Sequence, residues 1–349
     1  GRLLAEAAPF EEARSTFHFE RSAGTLVPAS PMPPWQGDLL LFAMRYGVRK
    51  FLSAIGVSKV VIGVSGGIDS AVNAALYRSV LPADHLLLVN TPTRYNSEMT
   101  KGLAKDLAMR LGSPYLTIPI GQFIDETAKA LEGLPISCGR EIHLTDFMKE
   151  NMQARDRSSR ILSALSAAFT CNANKTETTV GYGTLYGDLA GAFAATADLW
   201  KYQIYHLGRL LNDWYESPVI PEGIFAVKPS AELSEKQDVT KGMGDPLIYE
   251  YHDYLLKSFV EPWQRLCPED LLTWYAEGSL EAHIGCHARV QDLFPTAKAF
   301  TEDLERWWAL FSGFSVAMSR RPYGYDLRES QVTPYYTDAY LALKKKLGV

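Results

Sequence analysis

Residues 59–70, KVVIGVSGGIDS, constrain the fold of this chain more than any other stretch. Val60, Val61, Ile62 and Val64 form a short β-branched run, the pattern of a strand buried on both faces of a parallel sheet. Ser65, Gly66 and Gly67 end that run. From Asp69 onward, DSAVNAALYRSV carries apolar residues at helical spacing, with an acid in the first turn. The unit therefore reads as strand, glycine turn and helix N-terminus. Such a terminus has N–H groups without intrahelical partners and the positive end of the helix dipole, so it receives anions. Two glycines let the backbone approach a phosphate closely, and Ser65 and Ser70 add hydroxyl donors. The loop has neither the Gly-Lys-Ser/Thr of a Walker loop nor the GxGxxG pattern. A plain glycine turn in a βα unit fits the same residues.

The 349 residues allow about two domains. With 47% hydrophobic and 21% charged residues, the chain is globular in composition, and a net charge of −5 argues against nucleic acid as a partner. No apolar run approaches the length needed to span a bilayer, and the N-terminus lacks a signal-peptide pattern. Cys138, Cys171, Cys267 and Cys286 form no CxxC pair and no metal spacing, so free thiols in the cytoplasm are expected.

After a helix over 38–52 and the glycine loop, strands are expected at 85–90 and 115–120, with helices over 97–111 and 122–131. This alternation indicates an α/β fold: a doubly wound parallel sheet with helices on both faces. Ligands sit beyond the C-terminal strand ends of such sheets, where SGGIDS and the polar segment TPTRYNS (91–97) both fall. A long helix is expected over 147–169, with Asn151, Arg155 and Ser158 or Ser159 on one face. A short strand at 169–172, the glycine-rich segment VGYGTLYGD (180–188) and helices over 198–211 and 245–259 follow. Before this unit, 1–20 reads as fragments of strand and turn, and SPMPPW (30–35) as a proline-rich connector.

SGGIDS resembles the pyrophosphate loop of the ATP pyrophosphatases, which cleave ATP between the α- and β-phosphates. The ordered set SGGIDS, NMQAR (151–155), NKTE (174–177), GYGTLYGD (181–188), Lys201 and KPSAEL (228–233) narrows the resemblance to the NAD synthetases, over roughly residues 37–255. GMP synthetase and the tRNA-thiolating enzymes share the loop but not NKxE…TLYGD. The resemblance implies the adenine nucleotide alpha hydrolase-like fold and ATP-dependent amidation of deamido-NAD to NAD through an adenylate, releasing pyrophosphate and AMP. Another amidating or thiolating ATP pyrophosphatase, or a non-catalytic nucleotide-binding relative, is the alternative.

On this resemblance ATP contacts fall to Gly63, Val64, Ser65, Gly66, Gly67, Ile68, Asp69, Ser70, Asn172, Lys201 and Ser230. Deamido-NAD contacts fall to Asn151, Arg155, Glu177, Tyr182, Gly183, Thr184, Leu185 and Asp188. Asp69 and Glu177 are the expected Mg²⁺ ligands and, with Lys201, the catalytic set; a carboxylate facing phosphate needs a bridging cation. The stretch GRLLAEAAPFEEA resembles the closing strands of a nitrilase-type glutaminase domain, which would hold its Cys, Lys and Glu upstream. The division expected is a linker and remnant of that domain at 1–36, a synthetase domain at 37–260 and a mainly helical extension at 261–349. Ammonia is the expected nitrogen donor of this chain, and a homodimer or higher homo-oligomer its expected assembly.

Two departures from the family pattern stand out. Cys171 and Asn172 occupy positions usually held by glycine and threonine, and Phe314-Ser315-Val316 replaces a Phe-Lys-Arg cluster, with Arg320 and Arg321 close by. Cys171 adds bulk where a close backbone approach is expected. His283, Cys286 and His287 lack a second ligand pair at zinc spacing, so they read as core or helix surface. Trp307-Trp308 and the Tyr-rich 322–340 segment read as cover for an apolar surface.

Overall fold

The computed structural model describes residues 7–10, 12–29, 37–166, 168–261, 266–320 and 337–349. An antiparallel hairpin, β1 (Phe17–Glu20) and β2 (Thr25–Pro28), comes first, with every β1 residue exposed. The central unit then runs α1 (Leu39–Ala54), β3 (Val60–Gly63), α2 (Ile68–Arg78), β4 (Leu86–Asn90), α3 (Glu98–Leu111), β5 (Tyr115–Thr117) and α4 (Gly121–Leu131). Helix α5 (Asp146–Arg155) leads through a wide π-turn, Asp156–Leu162, into the short α6 (Ser163–Leu165). The remainder is helical: α7 (Lys175–Val180), α8 (Lys201–Trp214), α9 (Glu222–Ala226), α10 (Tyr249–Val260), α11 (Pro268–Glu277), α12 (Leu280–Ile284), α13 (Val290–Leu293), α14 (Ala297–Arg320) and α15 (Asp338–Leu347).

Strands β3, β4 and β5 are parallel, with β4 in the middle. Single parallel bridges, Val61 to Phe169 and Thr170 to Phe193, extend the sheet beyond the other edge of β3. The chain thus moves outward from β3 through β4 to β5, then returns to the opposite side of β3. That reversal opens a crevice at the C-terminal end of β3, where SGGIDS leaves the sheet. Period-two alternation explains why β3 is apolar throughout. Val60, Ile62 and Val64 join a core with α1, α2, α3 and α8, while Val61 packs with Val89, Leu162 and Phe169 on the other face. A further core joins Val180, Trp200 and α10 to buried residues between Leu271 and Trp307 and to Tyr340, so α11, α14 and α15 pack against the helices that follow the crevice.

Several expected boundaries shift. The helix over 147–169 ends at Leu165 and is α-helical only to Arg155 before the π-turn. The strand over 115–120 stops at Thr117; Ile118 N still donates to Asn90 O at 2.8 Å, but Pro119 has no N–H to continue. The helix at 198 begins at Lys201, where Trp200 N donates to Gln203 Oε1 at 2.9 Å. That at 245 begins at Tyr249, because Asp245 precedes Pro246 and is biased away from helix. Residues 1–6, 11, the connector 30–36 and the Tyr-rich 321–336 lie outside the described residues, as do the side chains of Phe314, Ser315, Val316 and Arg320.

Candidate active site

Gly67 occupies the capping position of α2 and has no side chain to cap it, so the first-turn amides of an eleven-residue helix face the cavity uncapped. Ser65 and Ser70 brace the loop from within. Ser65 N donates to Ser70 Oγ at 3.2 Å, and Gly67 N donates to Ser65 Oγ at 3.2 Å. Gly66 is turned away from the cavity. Its φ is +89°, and a Cβ there would lie 2.1 Å from Thr100 O, so only glycine fits between loop and α3.

Asp69, in the first turn of α2, meets two other motifs. Its Oδ2 lies 2.6 Å from Lys201 Nζ at the start of α8, and its Oδ1 accepts from Asn174 Nδ2 at 2.8 Å. Glu177 Oε1 lies 3.3 Å from the same Nζ. Asn174 and Glu177 form a reciprocal capping box on α7, so the helix start that fixes Glu177 also aims the Asn174 amide at Asp69. Asp245 forms the next layer, accepting from Tyr182 OH and Tyr249 OH, each at 2.9 Å, while Tyr249 OH reaches Glu177 Oε1 at 3.4 Å.

Lys201 is buried. Burial works against its charge, yet Asp69, Glu177 and Asp245 outweigh it and hold the ammonium above its ordinary range. Burial pushes the Glu177 carboxyl up; Lys201 opposes that, and Asp69 and Asp245 reinforce it. The ammonium is the firm charge of the cluster, and Glu177 the carboxyl whose ionisation the surroundings resist. Asp69, Glu177 and Asp245 outnumber the one ammonium, so an anion held beside them calls for a further cation. The oxygens of Asp69 and Glu177, already converging on one cation position, suit Mg²⁺. Among the described residues no three His, Cys, Asp or Glu side chains are arranged to hold a metal, so its remaining ligands would come from phosphate and water.

One cavity is lined by Gly63, Val64, Ser65, Gly67, Ile68, Asp69, Ser70, Asn172, Glu177, Tyr182, Asp188, Lys201 and Ser230. Asn151, Arg155, Gly183, Thr184 and Leu185 form an adjoining cluster outside that lining. There Thr184 Oγ1 donates to Asn151 Oδ1 at 2.7 Å, and Arg155 Nε donates to Leu185 O at 3.2 Å. Thr184 N donates to Asp188 Oδ1 at 2.9 Å, which ties the cluster to the cavity wall. Asn172 lines the cavity while bridging strand ends, donating to Gly63 O and accepting from Thr170 Oγ1, each at 2.9 Å. Ser230 Oγ donates to Gln237 O at 2.7 Å and accepts from Glu232 N at 3.2 Å.

The Cys171 thiol lies outside the cavity lining and donates to Asp188 O at 3.4 Å. Gly191 packs tightly on the Cys171 backbone, where an added Cβ would sit 2.2 Å from Cys171 N. Cys286 is buried with its thiol directed at Glu250 O, and the His283 ring stacks on Trp274 at 4.0 Å.

Sequence reasoning missed Asn174, Arg157, Glu232, Asp245 and Tyr249 as cavity residues or their partners. Asn174 and Glu232 lie inside the motifs NKTE and KPSAEL, so their signal is present. Glu232 is buried with φ of +46°, and its carboxylate accepts from Asn96 Nδ2, Ser97 N and Thr100 Oγ1 at 3.1, 3.1 and 2.9 Å. Those bonds hold a backbone conformation that glutamate otherwise avoids.

A parallel α/β sheet with a phosphate-type loop at its reversal point, backed by paired carboxylates, defines a domain of the adenine nucleotide alpha hydrolase-like class. The NAD synthase family model matches residues 41–273, and the chain belongs to that family. It is 35% identical over 246 residues to the glutamine-dependent NAD(+) synthetase of Thermotoga maritima, covering 69% of this chain and 41% of that protein. It is 32% identical over 293 residues to that of Xylella fastidiosa, covering 80% and 51%. The solved glutamine-dependent NAD+ synthetase of Acinetobacter baumannii superposes with a TM-score of 0.53 at 25% identity, over 69% of this chain and 48% of that one. The chain thus spans about half the length of these curated relatives.

Proposed function

We propose that this chain catalyses the ATP-dependent amidation of deamido-NAD to NAD, releasing AMP and pyrophosphate. The observation that carries this reading is the meeting of Asp69, Lys201 and Glu177, from three separate motifs, at the uncapped start of α2. A carboxylate is a poor acyl electrophile, so its oxygen first attacks the α-phosphorus of ATP and pyrophosphate leaves. Ammonia then attacks the acyl carbon, the carbonyl–oxygen bond to AMP breaks, and a proton is lost to solvent.

The first-turn amides of α2, with Ser65 and Ser70, receive the departing pyrophosphate. Lys201 adds a fixed charge beside it. Mg²⁺, held by Asp69 and Glu177, would supply charge neutralisation to the phosphates. Tyr182 and Asp188 on the cavity wall, with Asn151, Arg155 and residues 183–185 beside it, orient deamido-NAD. Residues 37–260 act as the synthetase unit, 261–349 as a helical extension packed on it, and 1–36 as the junction with a glutaminase-like domain. The reaction belongs in the cytoplasm, on a homo-oligomer, with ammonia as the direct nitrogen donor.

Incubation of the chain with ATP, Mg²⁺, deamido-NAD and ammonium should yield NAD and AMP in equal amounts and stop on chelation of the metal. Nucleotide binding without either product, alongside an active control synthetase, would make the chain a non-catalytic relative.

A further inference from the structure

Three arginines follow one another on α5 and the π-turn, and they do different things. Arg155 is exposed and donates to Leu185 O at 3.2 Å. Arg160 is exposed, lies 3.6 Å from Asp156 and stacks over the Phe123 ring at 4.6 Å. Arg157 instead lines the cavity that also holds Ser65, Asp69 and Lys201.

Its partners do not match its charge. One terminal nitrogen donates to Ala231 O at 3.4 Å and the other to Asn96 Oδ1 at 3.2 Å, while its buried Nε has no partner. Among the described residues no carboxylate oxygen lies within ion-pairing distance, 4.0 Å, of it. A guanidinium offers five N–H donors, and a desolvated cation met only by long bonds to neutral oxygens is costly unless an anion completes it. The other cavity cations differ: Lys201 is already ion-paired, and Lys228 is exposed with its Nζ on Gly242 O.

The anchors of Arg157 place it on the phosphate-loop side of the cavity. Ala231 belongs to KPSAEL and Asn96 to TPTRYNS. The Glu232 carboxylate joins those two segments through Asn96, Ser97 and Thr100. The Thr100 carbonyl is the surface against which Gly66 of SGGIDS packs. Arg157 is therefore built into the framework of the phosphate loop, whereas Arg155 belongs to the cluster around Leu185.

We propose that Arg157 binds the α-phosphate of ATP, the phosphate that stays on adenosine when pyrophosphate departs. This rests on the synthetase reading for its place in the reaction, but the binding claim stands on nucleotide affinity alone. The test uses the whole chain and its Arg157→Gln and Arg157→Lys variants, titrated calorimetrically with AMP, pyrophosphate and deamido-NAD. Arg157→Gln should weaken AMP binding about tenfold or more, a typical loss for a buried charge-assisted bond. Pyrophosphate and deamido-NAD affinities should change less than about twofold, the range left when no contact is lost.

Arg157→Lys, which keeps the charge but loses the fork, should fall between. Because a half-buried charge without an ion-pair partner is removed, the ligand-free melting temperature of Arg157→Gln should not drop, while the rise produced by AMP should shrink. Unchanged AMP affinity in both variants overturns the proposal. So does a loss confined to deamido-NAD, which would assign the guanidinium to the dinucleotide, or collapse of both variants without ligand, which would make Arg157 a folding residue. A wild-type chain that binds AMP through Arg157 yet makes no NAD would sink the synthetase reading alone.

Discussion

Lys201 Nζ lies 2.6 Å from Asp69 Oδ2 across 132 residues of sequence, and the Lys201 side chain is only 2% exposed. The pair joins the first turn of α2 to the first turn of α8, and Glu177 completes it at 3.3 Å. Lys201→Met should therefore do more than remove a phosphate contact. It leaves Asp69 and Glu177 facing each other without a cation, a change that costs about 3–5 kcal/mol when a buried pair is broken. Denaturant unfolding should show this loss, and added Mg²⁺ should recover more stability in the variant than in the parent chain. A Lys201→Met chain as stable as the parent would mean the pair is incidental.

Gly66 provides the second prediction. Its φ of +89° and the 2.1 Å that would separate its Cβ from Thr100 O leave no room for alanine. Gly66→Ala should cost about 1–2 kcal/mol for the left-handed backbone alone, with the steric clash in addition. ATP affinity should fall with stability, because the loop must move off α3. Wild-type melting and wild-type ATP affinity together would show that the loop relaxes freely.

The third concerns Asp253, a buried carboxylate that accepts from Thr176 Oγ1 at 2.5 Å and Tyr202 N at 2.8 Å. Burial pushes its carboxyl above the ordinary 3.8, against the pull of those bonds and of Lys201. A folded-state value above the unfolded one means that the folded state binds the proton more tightly. The contribution of Asp253 to stability therefore grows as pH falls toward and through its folded value, and is smallest at neutral pH. Melting curves of wild type and Asp253→Asn should diverge on acidification, the wild type gaining relative to the variant. Parallel curves would show that Asp253 does not titrate in this range.

Local patterns in the residues carry much of the fold and part of the site. The β-branched run of β3 and the glycines after it announce a buried parallel strand and an anion-receiving turn, because their periodicity and backbone demands are local. Motifs name Asp69, Glu177 and Lys201, but not the single ammonium that bridges both carboxylates, since that depends on how α2, α7 and α8 pack. Asp245 and Tyr249 leave no pattern because their signal is a contact, not a spacing. The π-turn that carries Arg157 reads as continuous helix, since a wider turn leaves no mark on apolar periodicity.

The nitrogen donor gives the fourth prediction. Glutamine hydrolysis of the glutaminase type needs an activated cysteine. Here Cys171 and Cys286 are buried with thiols on backbone carbonyls, Cys267 donates to Asp270 Oδ2, and Cys138 is exposed. The 349-residue chain should make NAD from ammonium salts and not from glutamine. Only NH₃ carries the attacking lone pair, so at fixed total ammonium the rate should rise roughly tenfold per pH unit below the ammonium pKa while the fold persists. Efficient turnover with glutamine, contaminating glutaminase excluded, would contradict this.

The proposed chemistry turns on attack by the substrate carboxylate at the α-phosphorus, with Asp69, Glu177 and Lys201 gathered around the loop that receives pyrophosphate. Deamido-NAD labelled with ¹⁸O in its nicotinate carboxylate tests that attack directly. Turnover with ATP, Mg²⁺ and ammonia should transfer one labelled oxygen from each carboxylate to the phosphate of AMP and none to pyrophosphate. Label in pyrophosphate or inorganic phosphate, or NAD formed with unlabelled AMP, would contradict the mechanism.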